Sequence, residues 1–121
     1  MEEMKKPELS LVIPVYNEEA NLNELIRRCL VACDSIDISY EIILVDDGSS
    51  DSSARMIRDA AEKYNGKIVG VFLTTNFGQH AAVTAGLKTA LGKYVITLDA
   101  DLQNPPEEIP KLVAKLREGY D

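Results

Sequence analysis

The sequence predicts an α/β fold: an open, Rossmann-like parallel sheet with helices on both faces. Four short apolar runs, at 9–15, 41–45, 68–73 and 94–98, are rich in Val, Ile and Leu. Most show little polar alternation, which suits strands buried on both faces. Helical periodicity follows each run, so the order reads β-α-β-α-β-α-β-α. That alternation implies parallel strands joined by right-handed crossovers.

Taken in chain order, the first run leads into a helix whose stripe is Leu22, Leu25, Ile26, Cys29, Leu30 and Cys33. Its two cysteines, four apart, read as small buried residues, because a metal site would need more ligands nearby. The second run precedes a helix that opens at Ser50-Asp51, both good capping residues, and carries Ala54, Ile57, Ala61 and Tyr64. After the third run, residues 79–91 hold Ala82, Ala85, Gly86 and Ala90, small enough to pack closely on a sheet. The fourth run is followed by a helix starting at Pro105-Pro106, with Glu107 and Glu108 in its first turn and Gly119 as its C-terminal cap. Pro110 can displace that helix start by a few residues.

A chain of 121 residues can bury one core of its own. Its 45% hydrophobic and 27% charged residues are ordinary globular usage. With 13 basic against 20 acidic residues, the net charge is −7. That excludes a nucleic-acid module held by phosphate contacts and a polybasic membrane anchor. No apolar run approaches the roughly 20 residues that span a bilayer. The charged residues 1–7 are not a signal peptide. Residues 1–8 therefore read as a tail, 9–121 as the ligand-binding domain, and the cytoplasm as the expected compartment. An acidic chain that binds a phosphate ligand needs a metal ion or helix N-termini to offset the charge.

Ligands of open parallel sheets bind at the carboxyl ends of the strands. Here the four runs empty into Tyr16-Asn17-Glu18, Asp46-Asp47-Gly48-Ser49, Thr74-Thr75-Asn76-Phe77-Gly78-Gln79-His80 and Asp99-Ala100-Asp101-Leu102-Gln103. Asp99 and Asp101, as residues i and i+2 of an extended chain, share one side. Two such carboxylates repel unless water or a cation lies between them. Mg²⁺ or Mn²⁺ suits their hard oxygens, with Gln103 as a third donor. The ion would bridge to a diphosphate and offset charge as a sugar–phosphate bond breaks. The bland reading is a solvated acidic turn before a helix.

Asp47 can accept a ring N–H from uracil or guanine, whereas Gly48 reads as a turn residue with positive φ, and Asp51 and the serines as caps. Tyr16 can cover a base face and Glu18 can bind a ribose hydroxyl, although a helix-entry turn with Asn17 as its cap explains the segment about as well. His80, the sole histidine, reads as structural, with a donor contact as the alternative.

Together VIPVYNE, ILVDDGSSD and DADLQ resemble the family-2 inverting glycosyltransferases, which have the GT-A fold. Residues 76–86 and 96–110 are similar to the branch that glycosylates polyprenyl phosphates. The resemblance runs from about residue 9 to the end. It implies that Pro14, Tyr16, Glu18, Val45 and Asp47 hold the nucleoside. It places Asp99, Ala100 and Asp101 around the diphosphate, with Asp101 and Gln103 at the metal and Asp99 close by. On this reading the reacting centre belongs to Asp99 and Asp101. The implied reaction moves a sugar, more readily from UDP than from GDP, to a polyprenyl phosphate with inversion.

Family members continue beyond a Gly-Tyr-Asp such as 119–121 into another strand, acceptor-side residues, a phosphate-binding arginine, an amphipathic region and transmembrane helices. The expectation is therefore the N-terminal half of a GT-A domain. Its parent would work at the cytoplasmic face of the inner membrane, and an unfilled sheet edge would invite self-association. The competing readings are a nucleotide-binding module without catalysis, and another doubly wound enzyme. A dinucleotide site would require G-x-G-x-x-G after the first strand, which is absent.

Overall fold

The first apolar run forms β1 (Leu9–Val15), and the stripe after it becomes α1 (Glu19–Asp34). Then follow β2 (Tyr40–Asp46), α2 (Ser53–Lys63), β3 (Ile68–Phe72), α3 (Gln79–Thr89), β4 (Tyr94–Thr97) and α4 (Ile109–Arg117). This computed structural model describes residues 6–119. The first five residues of the tail, and Tyr120 and Asp121 of the Gly-Tyr-Asp segment, lie outside the described residues.

All four strands are parallel, in the order β3-β2-β1-β4. The predicted α/β alternation is therefore the observed one. Proline chemistry shifts the last helix. Pro106–Glu108 make a 3₁₀ turn, and α4 begins only at Ile109, with Pro110 in its first turn where no N–H is needed. Gly119 ends it with φ 99° and donates its N–H to Leu116 O, as expected of a C-terminal cap.

The core has two unequal layers. Leu11, Ile13, Ile42 and Leu44 bury one sheet face against Leu22 and Leu25 of α1, Ile57 of α2, and Ile109 and Val113 next to the 3₁₀ turn and in α4. Val12, Ile43 and Val45 bury the other face against Ala82 of α3. The small residues of α3 allow this approach. A Cβ at Gly86 would strike Val12 Cγ1 and lie 3.1 Å from Val45 Cγ2. Cys29 and Cys33 are buried free thiols, each pushed up to about 12 chiefly by desolvation.

Burial on both faces holds for the central strands β1 and β2 only. β3 and β4 are edges, and the side chains of Phe72, Val95 and Thr97 are exposed. Val95 and Thr97 pair with Ser10 and Val12, so they share the α3 face, which α3 covers over β1 and β2. Among the described residues no helix is long and apolar enough to cross a membrane.

A buried polar pair closes the opposite, N-terminal end of the sheet. Glu41 accepts from Ser10 Oγ at 2.6 Å and from Leu91 N at 2.7 Å, while Ser10 Oγ accepts from Gly92 N at 2.8 Å. These bonds fix the turn between α3 and β4, and so fix where β4 enters the sheet.

Candidate functional site

Parallel pairing brings every strand's carboxyl end to one edge of the sheet. There a cavity of about 430 Å³ is lined by Pro14, Tyr16, Glu18, Asp47, Asp99, Ala100, Asp101 and Gln103, together with Val15, Asn76, Gly78 and Gln79. Eight of the residues singled out in the sequence thus share one wall. Val45 is not among them. It is fully buried beneath α3 with Val12, Ile43 and Ala82, so it backs the wall instead of forming it. Alternation within β2 puts Val45 on the face that α3 covers, and the chain reaches the cavity only past the strand's end, at Asp47.

Asp47 is 2% exposed, and its carboxylate holds the segment after β3. Oδ1 accepts from Phe77 N at 2.8 Å, and Oδ2 accepts from Gly78 N at 3.0 Å and from Asn76 Nδ2 at 3.3 Å. Its neighbour Asp46 is equally buried but absent from the wall, with Oδ2 accepting from Ser49 N at 3.3 Å. Gly48 has φ 70°, the left-handed turn that the sequence suggested.

β4 ends at Thr97, and its ladder closes with Leu98 N donating to Val12 O at 3.1 Å. The extended spacing expected for Asp99 and Asp101 is replaced by a turn. Asp101 Oδ1 accepts from Gln103 N at 3.1 Å, and Leu102 takes φ 66°. This side-chain-to-backbone bond favours a turn over a continued strand. Both carboxylates still face the same cavity. Gln79, at the first position of α3, donates Nε2–H to Asp99 Oδ1 at 3.2 Å. Asn76, Gly78 and Gln79 had no assigned role in the sequence reading. The polar run after the third apolar segment was their signal. His80 is exposed and is not on the wall.

The turn's far side is tied to α1. Glu107 of the 3₁₀ turn accepts from Arg28 Nε at 2.9 Å and also pairs with Arg28 Nη2. The guanidinium holds the Glu107 carboxyl down to about 2. A depressed folded value gives stability that is fully present above the unfolded pKa and lost as pH falls toward the folded value. Acid titration from pH 5 to 2 should therefore destabilise the wild type more than Glu107→Gln, as read by denaturation midpoints at each pH. Exposure and salt keep this difference small.

The chain belongs to glycosyl transferase family 2, whose model matches residues 10–121. It is 60% identical over 113 residues to an undecaprenyl-phosphate 4-deoxy-4-formamido-L-arabinose transferase of Aeromonas hydrophila subsp. hydrophila. That match takes in 93% of this chain and 35% of the relative, so the chain spans about a third of the relative's length. The S. aureus TarS 1–349 structure in complex with UDP-GlcNAc superposes with TM-score 0.68 at 26% identity, over 92% of this chain and 31% of that one. The mannosyltransferase PcManGT of Pyrobaculum calidifontis, in complex with GDP-Man and Mn²⁺, gives TM-score 0.73 at 24% identity, over 92% and 32%, and speaks for the fold alone. The expected GT-A architecture is thus borne out in solved glycosyltransferases.

Proposed function

We propose that this chain is the donor-binding portion of a metal-dependent inverting glycosyltransferase. The sugar moves from a nucleotide-sugar, UDP-linked in preference to GDP-linked, to a polyprenyl phosphate. The observation that carries this reading is the single cavity at which all four strand ends present polar groups. The lipid-phosphate acceptor follows the activity printed for the 60% identical relative.

On this reading Tyr16 covers the base, and Glu18 accepts from ribose hydroxyls beside Pro14. Asp47 accepts a base N–H on the Oδ1 lone pair that its loop contacts leave free. Asp99, Ala100 and Asp101 border the diphosphate. Two carboxylates and the Gln103 amide are hard oxygen donors on an open wall, which suits Mg²⁺ or Mn²⁺ completed by water and phosphate oxygens. Among the described residues no group of three or more His, Cys, Asp or Glu is placed to hold an ion, so water and phosphate oxygens would have to complete its coordination. The bound ion would offset the charge that develops on the leaving diphosphate. A phosphate acceptor is already anionic near neutral pH. The protein's part is then positioning and electrostatics, with no general base required. The longer protein acts at the cytoplasmic face of the inner membrane, where a lipid phosphate and a soluble donor meet.

Calorimetric titration of UDP into the chain tests the site, with Mn²⁺ or with EDTA. Binding should require Mn²⁺, and Asp101→Ala should weaken it more than about tenfold, or 1.4 kcal/mol. A folded chain that gives no heat with UDP or GDP would remove the donor-site reading.

A further inference from the structure

Asn17 lies between two cavity residues, Tyr16 and Glu18, yet is absent from the wall itself. It is not the cap of its own helix. With φ 52°, its side chain meets the neighbouring loop, where Oδ1 accepts from Ser50 N at 2.8 Å, Ser50 Oγ at 3.3 Å and Asp51 N at 3.3 Å. That loop returns bonds of the same kind. Ser49 Oγ accepts from Asn17 N at 2.9 Å, Ser53 Oγ from Glu18 N at 3.0 Å, and Asp51 Oδ2 from Glu19 N at 3.2 Å. Glu19 Oε2 then accepts from Ser52 N at 3.0 Å.

Neither α1 nor α2 is capped by the side chain of its own N-cap residue. Glu19 N, the first of α1, finds its acceptor on the α2 loop. Ser53 N, the first of α2, is capped from its own loop by Asp51 Oδ1 at 2.8 Å, while the Ser50, Asp51 and Ser52 amides before it turn to Asn17 and Glu19. The left-handed backbone at Asn17 costs energy for a residue with a Cβ, and asparagine tolerates it better than most. Such strain persists only where its surroundings over-determine it, and here the surroundings are this reciprocal set of bonds.

We infer that Asn17 is a positioning residue: its Oδ1 joins the β1–α1 and β2–α2 loops into one rigid unit and thereby fixes Tyr16 and Glu18 at the nucleoside end of the cavity. The metal end stands on a different segment, after β4, so the two ends respond separately. The effect on ligand rests on the donor-site reading above, whereas the joining of the loops stands independently of it.

Asn17→Gly keeps the backbone conformation and removes the oxygen, and Asn17→Asp keeps an acceptor there. In Asn17→Gly, UDP affinity with Mn²⁺ should fall by about tenfold. The affinity for Mn²⁺ alone, read by its EPR signal, should be unchanged. Exchange protection of the Ser50 and Asp51 amides should fall by a similar factor of about ten. Asn17→Asp should restore UDP affinity and protection to within about threefold of wild type. Wild-type UDP affinity or amide protection in Asn17→Gly overturns the inference, and so does an equal loss of UDP and Mn²⁺ binding. If the wild-type chain binds no UDP, the donor-site reading fails. Amide exchange then decides the joining of the loops alone: lost protection in Asn17→Gly with rescue in Asn17→Asp upholds it, and retained protection ends it.

Discussion

Gly48→Ala should destabilise this domain by about 3–5 kcal/mol, at the upper end of what single substitutions do. Two penalties combine. The first is conformational: at φ 70° a Cβ costs roughly 1–2 kcal/mol. The second is steric and larger. The added carbon would lie 2.5 Å from Asn76 N and 2.8 Å from Thr75 Cα, and would press on the Thr75 carbonyl carbon as well. These are backbone atoms, so no side-chain rotation relieves the contact, and the segment after β3 must move as a body. That segment supplies the Phe77 and Gly78 N–H groups to Asp47 and the Asn76 and Gln79 side chains to the cavity. Stability and ligand binding should therefore fall together. Urea denaturation of wild type and variant measures the first. A loss below about 1 kcal/mol would show that the loop yields and that this contact is soft.

The fold was legible because its physics is local to the apolar runs. Leu11, Ile13, Ile42 and Leu44 sit in stretches too apolar for one-sided burial, and the alternation with helices then leaves a parallel sheet as the economical solution. The small residues Ala82 and Gly86 signalled the close approach of α3 for the same reason. Much of the cavity followed from topology, since parallel strands place Tyr16, Asp47 and Asp99 at one edge whatever the loop details. What escaped depends on contacts between distant segments. No periodicity reveals that Asn17 serves the loop of α2, or that Glu41, a charged residue within a buried strand, is satisfied by Ser10 and the Leu91 amide. Nor does a run of apolar residues say which strands are edges, and so Val95 and Thr97 read as buried when they are exposed. The Asp99–Asp101 spacing suggested a continued strand, and a local bond from Gln103 N to Asp101 made a turn instead.

Asp47→Asn should reduce stability by about 2–3 kcal/mol, despite being nearly isosteric. The carboxylate offers two acceptor oxygens, and it uses one for Phe77 N and the other for Gly78 N. A carboxamide offers one oxygen and an NH₂ group, so one of those backbone donors must face another donor. Burial makes the mismatch costly, because at 2% exposure little water reaches the carboxylate to repair it. The same exchange distinguishes Asp47 as a base-reading group from Asp47 as a loop anchor. Uracil presents a ring N–H at position 3, which needs an acceptor, whereas cytosine presents a lone pair there, which needs a donor. If Asp47 reads the base, wild type binds UDP over CDP. Asp47→Asn then shifts that preference toward CDP by about tenfold or more, beyond any uniform loss from loosening the loop. Competition between the two nucleotides at saturating Mn²⁺ reads the ratio directly, and protein that is unfolded drops out of it. A ratio unchanged by Asp47→Asn, alongside the loss of stability, would confine Asp47 to holding the Asn76–Gly78 segment and assign base discrimination to another part of the wall.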